Sequence, residues 1–219
     1  MSNIASWLNS AFYGLDYGLA SAANHLNSVA GGFFRPLSQI IDFIGDNGLI
    51  FIVIAVIFLL FKKTRKTGLS LAVGLIYTGI VALLVIKNVV GRPRPFLDTS
   101  SAFYQFWYEA GENYQSAPSF PSGHATSAMV FATVMFMSYN KKISWLWFLI
   151  PLLFGFTRIY LVVHYASDVL GGFILGGLLG VGAYYTMFGL YHLPKFCKFM
   201  DVDLILTKET AKKEISKQN

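Results

Sequence analysis

The sequence predicts an all-α integral membrane protein with five to six transmembrane helices, and three observations carry that expectation. Of its 219 residues, 55% are hydrophobic and only 13% charged, and the apolar runs approach the length that crosses a bilayer. Lipid offers no partner to a free backbone N–H or C=O, so those runs are helical. The cations are gathered in Lys62-Lys63-Thr64-Arg65-Lys66, in Lys141-Lys142 and in the C-terminal segment, between the apolar runs rather than within them.

Run length and periodicity place spans near 48–61, 68–90, 123–139, 143–163 and 168–190. Ahead of them, residues 6–33 are of mixed character and read as a sixth helix, spanning or interfacial, while 36–45 read as a shorter amphipathic helix. The chain thus divides into an N-terminal amphipathic segment over 1–47, a membrane domain over 48–193 and a polar cytosolic tail over 194–219. Asp16, His25, Arg35, Asp42 and Asp46 interrupt the first segment, so no cleavable signal peptide is expected. In the last span Gly172, Gly176 and Gly180 recur every fourth residue, beside Gly171 and Gly177, a spacing that lets helices approach closely within the molecule.

Composition also excludes several classes. The single Cys197 rules out an intramolecular disulfide, and no Cys/His group has zinc-ligand spacing, so no metal and no cofactor are expected. The net charge of +6 does not point to nucleic acid, because it sits in turns and at the terminus, where it reports topology. The basic turns fall on one side of the alternating spans, expected to be cytoplasmic. The loop over 91–122, with Asp98, Glu109 and Glu112, and the short connection over 164–168 fall on the other. In that loop Phe103-Tyr104-Gln105-Phe106-Trp107-Tyr108 reads as an interfacial aromatic belt, or as the border of a lipid entrance.

Three short stretches at span ends carry chemistry. In Lys87-Asn-Val-Val-Gly-Arg-Pro-Arg94-Pro95, two prolines extend the chain, so Lys87 and Arg94 can approach one phosphate as a point charge and a bidentate fork. A lysine near a helix end also snorkels to headgroups without any such role. Arg92 is read as a contact to anionic lipid in preference to a second phosphate. In Pro121-Ser122-Gly123-His124, Ser122 can cap the following helix, whose open N–H groups attract an anion that Gly123 allows close. Capping alone explains Ser122 but not His124. In Thr157-Arg158-Ile-Tyr-Leu-Val-Val-His164-Tyr-Ala-Ser-Asp168, a carboxylate four residues after a histidine can fix its tautomer, and Asp168 can equally cap the next helix. Arg158 can complete a phosphate cage.

In order and spacing these stretches resemble the tripartite signature of the type 2 phosphatidic acid phosphatase (PAP2) superfamily, except that Thr157 replaces the family's usual serine. The resemblance implies a PAP2/haloperoxidase-like helical bundle. It implies that His164 is the nucleophile that forms a phosphohistidine, that Asp168 orients it, and that His124 protonates the leaving oxygen. Lys87, Arg94, Ser122, Gly123 and Arg158 would hold the phosphate, with no metal. The expected function is a plasma-membrane lipid phosphatase with its site on the extracytoplasmic face. Its partners are the bilayer and a membrane lipid phosphate, with phosphatidylglycerophosphate, phosphatidate and undecaprenyl pyrophosphate as candidates. A phosphotransferase of the same family and a non-catalytic phosphate-lipid binder are the alternatives. The latter needs no nucleophile, which the intact His124, His164 and Asp168 supply.

Overall fold

Apolar run length and N-terminal capping set the helices seen in a computed structural model, which describes residues 2–200. The expected tail beyond Met200 lies outside the described residues. In chain order the helices are α1 (Asn3–Ala11), α2 (Tyr13–Gly45), α3 (Leu49–Leu60), α4 (Arg65–Tyr77), α5 (Lys87–Val90), α6 (Ala102–Glu109), α7 (Gly123–Ser138), α8 (Lys141–Ser144), α9 (Leu149–Tyr160), α10 (Ala166–Leu190) and α11 (Pro194–Met200). A π-helical stretch, Thr78–Ile86, joins α4 to α5 without a break. Wide turns of this kind are frequent beside functional sites, and this one leads directly into Lys87.

Among the described residues three helical stretches, Arg65–Leu97, Lys141–Tyr160 and Ala166–Leu190, are long and apolar enough to cross a membrane, and α2 with α3, bent by 51° at the break between them, passes the same test when the two are taken together as one span. Helices stand at all five expected spans. The N-terminal region departs from expectation: a short α1 precedes one 33-residue helix that runs through Pro36 and bends at Ala30. Gly31, Gly32 and Pro36 mark a break in the sequence. Tertiary bonds bridge it, because Asn27 and Arg35, one on either side of the bend, both donate to the carbonyl of Glu109, at 2.9 and 2.6 Å.

The most extensive helix contact is α7 against α10. There a Cβ on Gly176 would lie 2.4 Å from the Thr126 carbonyl oxygen and one on Gly172 2.9 Å from that of Ser122. The four-residue glycine spacing thus serves internal packing, as expected. One apolar cluster joins Phe51, Leu71, Val130, Phe131 and Phe154 in the middle of the bundle. The outward faces carry Ile52 and Val56 on α3, Leu149 and Leu152 on α9, and Ile174 and Leu178 on α10, as lipid contact requires.

The aromatic segment departs from a simple belt. On α6, Phe103 and Trp107 are buried in a cluster with Phe96 and with Tyr160 to Val163. Phe96 stacks on Trp107 with ring centroids 4.7 Å apart. This cluster pins the 91–122 loop over the end of α9, where the site lies.

Candidate active site

Helix polarity brings the three sequence stretches to one end of the bundle: the end of α5, the start of α7, and the turn between α9 and α10. The basic turn at Lys62 to Lys66 lies at the other end, where Lys66 sits over the rings of Phe188 and Tyr191 near the end of α10. A cavity of about 770 Å³ opens at the first end, lined by Lys87, Arg94, Gly123, His124 and His164 among others.

His164 sits in the turn after α9, where Val162 adopts a left-handed φ of 51°. A β-branched residue rarely takes this conformation, and here it reverses the chain so that Val163 and His164 both donate back to the Arg158 carbonyl, at 3.2 and 3.4 Å. The imidazole Nε2 lies 3.0 Å from Arg94 Nη1. Nδ1 lies 3.5 Å from Asp168 Oδ2 and 3.5 Å from Ser119 Oγ. Arginine can only donate, so Nε2 carries the lone pair and Nδ1 the proton. Burial, followed by the positive charges of Arg94 and Lys87, holds His164 well below the usual histidine range. The ring is therefore neutral, with its Nε2 lone pair turned to Arg94 at the cavity wall.

Asp168 plays both roles that the sequence left open. Its Oδ2 accepts from the backbone N–H of Tyr165 at 2.9 Å, capping α10, and also from Ser119 Oγ. Its Oδ1 accepts from Arg92 Nη1 at 2.6 Å. This corrects the lipid reading of Arg92, which is fully buried. Its Nη2 reaches Asp16 Oδ2 at 2.9 Å, and its guanidinium lies 3.9 Å from the centre of the Tyr165 ring. Asp16 in turn accepts from Ser167 N and Oγ, each at 2.8 Å. A cation this deep holds carboxylates instead of headgroups.

The remaining cations rest on protein oxygens. Lys87 Nζ donates to the Pro118 carbonyl at 2.6 Å, and Arg94 donates to the carbonyls of Ala117 at 2.8 Å and Val163 at 2.6 Å. Lys87 is buried and turned into the site, which sets aside the snorkelling alternative. Ser122 Oγ caps α7 at the Ala125 N–H, 3.5 Å away, and Gly123 lines the cavity. Thr157 Oγ1 donates to the Phe154 carbonyl at 2.8 Å, so its hydroxyl serves the helix.

Arg158 is the exception. It is fully buried, does not line the cavity, and its Nε and Nη1 find no hydrogen-bond partner among the described residues. Its Nη2 lies 2.5 Å from Asp42 Oδ1, and that same oxygen lies 3.3 Å from His124 Nε2. In the sequence Asp42 and Asp16 on α2 are legible only as charges in a segment of mixed character, and Ser119 and Asn113, whose amide donates to Asp42 Oδ2, only as loop residues.

Two buried cations, Lys87 and Arg94, beside a neutral histidine at one end of an all-helical bundle suit a phosphoryl-transfer enzyme embedded in lipid. The PAP2 superfamily model matches residues 67–191, and the chain belongs to that superfamily of multi-pass membrane proteins. It is 31% identical to the undecaprenyl-diphosphatase BcrC of Bacillus subtilis, over 72% of this chain and 75% of that protein. It is 30% identical to an undecaprenyl-diphosphatase of Sulfolobus acidocaldarius, spanning 58% of each chain. The crystal structure of a transmembrane PAP2 type phosphatidylglycerolphosphate phosphatase from Bacillus subtilis superposes with a TM-score of 0.62 at 26% identity. The match covers 86% of this chain and 90% of that one.

Proposed function

We propose that this protein hydrolyses a phosphate or diphosphate ester on a membrane lipid through a phosphohistidine on His164. The observation that carries the reading is the His164 imidazole, with Nδ1 turned to Asp168 and Nε2 turned to Arg94 at the cavity wall. In the first step the Nε2 lone pair forms a P–N bond as the P–O bond to the lipid breaks, and His124 gives a proton to the departing oxygen. In the second, water attacks phosphorus, the P–N bond breaks, and His124 takes the proton from water. Lys87 and Arg94, with Arg158 once reached, neutralise charge on the phosphoryl oxygens, while the N-terminus of α7 supplies neutral donors. The names of the relatives favour undecaprenyl diphosphate as substrate, with phosphatidylglycerophosphate next. The test is phosphate release by the purified protein from a panel of lipid phosphates and diphosphates. Release from none of them while the protein remains monodisperse defeats the reading.

Metal independence is part of this reading. Three cations already match a dianionic phosphate, and among the described residues no three His, Cys, Asp or Glu side chains are grouped to hold a metal ion. Turnover is expected to persist in excess chelator and to be inhibited by orthovanadate, whose trigonal-bipyramidal adduct on His164 would resemble the transition state. Loss of activity in chelator with recovery in Mg²⁺ would refute metal independence.

The site is assigned to the extracytoplasmic face of the plasma membrane, because the basic turns mark the opposite end of the bundle as cytoplasmic. Ser100 and Lys63 are both exposed, at the site end and the basic end respectively. In a Cys197→Ser background, Ser100→Cys should react with a membrane-impermeant maleimide in intact cells and Lys63→Cys should not. The reverse pattern places the chemistry in the cytoplasm.

A further inference from the structure

Every phosphate-holding cation of this site rests on an internal oxygen, but only Arg158 rests on a charged one. Lys87 and Arg94 take backbone carbonyls, which a phosphate can displace at little electrostatic cost. Arg158 takes the Asp42 carboxylate, and the placement is consequential. Asp42 lines the cavity, whereas Arg158 behind it is fully buried, ion-paired to Asp42 through Nη2 and with Nε and Nη1 unpartnered among the described residues. A phosphate entering the cavity therefore meets Asp42 before it meets Arg158. We propose that Asp42 is a built-in stand-in for the substrate phosphate, which the phosphate displaces from Arg158 and which then serves His124 as its counter-charge.

The two carboxylate oxygens are bonded differently, which makes this exchange possible. Oδ2 is held by the side-chain amide of Asn113 in the loop above the cavity. Oδ1 is shared between Arg158 Nη2 at 2.5 Å and His124 Nε2 at 3.3 Å, and the Asp42 carbonyl lies a further 3.2 Å from the same nitrogen. A turn of the carboxylate about its Asn113 anchor frees Arg158 without leaving His124. Phosphate and carboxylate carry like charge, so the incoming anion itself drives the turn. Asp42 then faces His124 alone and stabilises its cationic form. Nε2–H stays with Asp42, and Nδ1 gives its proton to the leaving oxygen as the P–O bond breaks. Proton donation is thereby linked to an occupied phosphate site. Gly45, one turn further along α2, fixes the arrangement: a Cβ there would lie 2.8 Å from the His124 ring and 2.2 Å from that of Phe154. Asp42 is thus a positioning residue that acts through His124 and Arg158, and it lies ahead of the residues that the family model matches.

This inference rests on the phosphatase reading, and its test separates the two. Asp42→Asn keeps the shape and removes the charge. Binding of inorganic phosphate by calorimetry, which needs no turnover, should tighten at least about tenfold, because Arg158 is no longer masked by a competing anion. Turnover should move the opposite way and unequally. The loss on a lipid phosphate, whose alkoxide leaving group needs a proton, should exceed the loss on an aryl phosphate by about tenfold or more. A merely structural role predicts weaker binding together with equal losses on both substrates. If the amide variant does not fold, Asp42→Ser opens the same path to Arg158 and carries the same binding expectation. Unchanged or weaker phosphate binding in the folded variant, with the wild type active, overturns the stand-in alone. An inactive wild type overturns the phosphatase reading itself.

Discussion

Replacing His164 by alanine should lower lipid phosphate turnover by at least about 10⁴-fold, the scale on which loss of a covalent nucleophile is felt. His164 is buried, and Arg94 Nη1 loses a partner when the ring is removed. His164→Asn is therefore the companion variant, since its amide can still accept from Arg94 but cannot attack phosphorus. Both variants should bind inorganic phosphate and remain monodisperse. Brief mixing of the wild type with a labelled substrate should trap phosphoprotein that is labile in acid and stable in alkali, as a P–N bond is, and neither variant should show it. Substantial turnover by folded His164→Asn would remove the histidine from the nucleophile's role. Acidity offers a separate check. Because burial and the neighbouring cations hold this histidine well below its usual range, it stays neutral as pH falls through about 6.5 and protonates only lower still. With a substrate of constant ionisation, kcat/KM should show no acid break at 6.5 from this residue.

The bundle and the three motif ends were legible because their signals are local. Apolar runs set α4, α9 and α10, and prolines, glycines and a serine cap mark where Lys87, Arg94 and His124 leave the lipid-facing helices. The second layer of the site was not legible, for a physical reason found in α2. Asp16, Asn27, Ser38 and Asp42 are buried on this helix, facing the other helices and the site rather than lipid. They lower its hydropathy and make it read as interfacial, although three of them are paired within the bundle: Asp16 meets Arg92, Asn27 accepts from Tyr160 Oη at 2.9 Å, and Asp42 meets Arg158. Polar residues that look wrong for a span are those that pair across it. Ser119 was hidden differently. It lies in a loop with no periodicity, and only the fold brings its hydroxyl to Asp168. Val162 carries no signal at all, since nothing in a valine announces a left-handed backbone.

Arg92→Met should be among the most destabilising single changes at the site end of the bundle, because it strands two buried carboxylates at once. Asp16 and Asp168 both draw on its guanidinium, at 2.9 and 2.6 Å, in a region closed to solvent. Removing one partner of such a group costs about 3–5 kcal/mol, since the charge left behind remains desolvated. Each carboxylate keeps some neutral donors: Ser167 for Asp16, and Ser119 with the Tyr165 N–H for Asp168. These soften the loss without cancelling the charge. Asp16→Asn should cost less, as Arg92 still holds Asp168. The double variant Asp16→Asn/Arg92→Met should be more stable than the sum of the two single losses by about 0.5–3 kcal/mol, because it leaves one unpaired carboxylate instead of two. Unfolding of the three variants in detergent, followed by tryptophan fluorescence, measures this coupling. An Arg92→Met loss below about 1 kcal/mol, the value for an exposed ion pair, would return Arg92 to the lipid surface and leave Asp168 to be held by neutral donors alone.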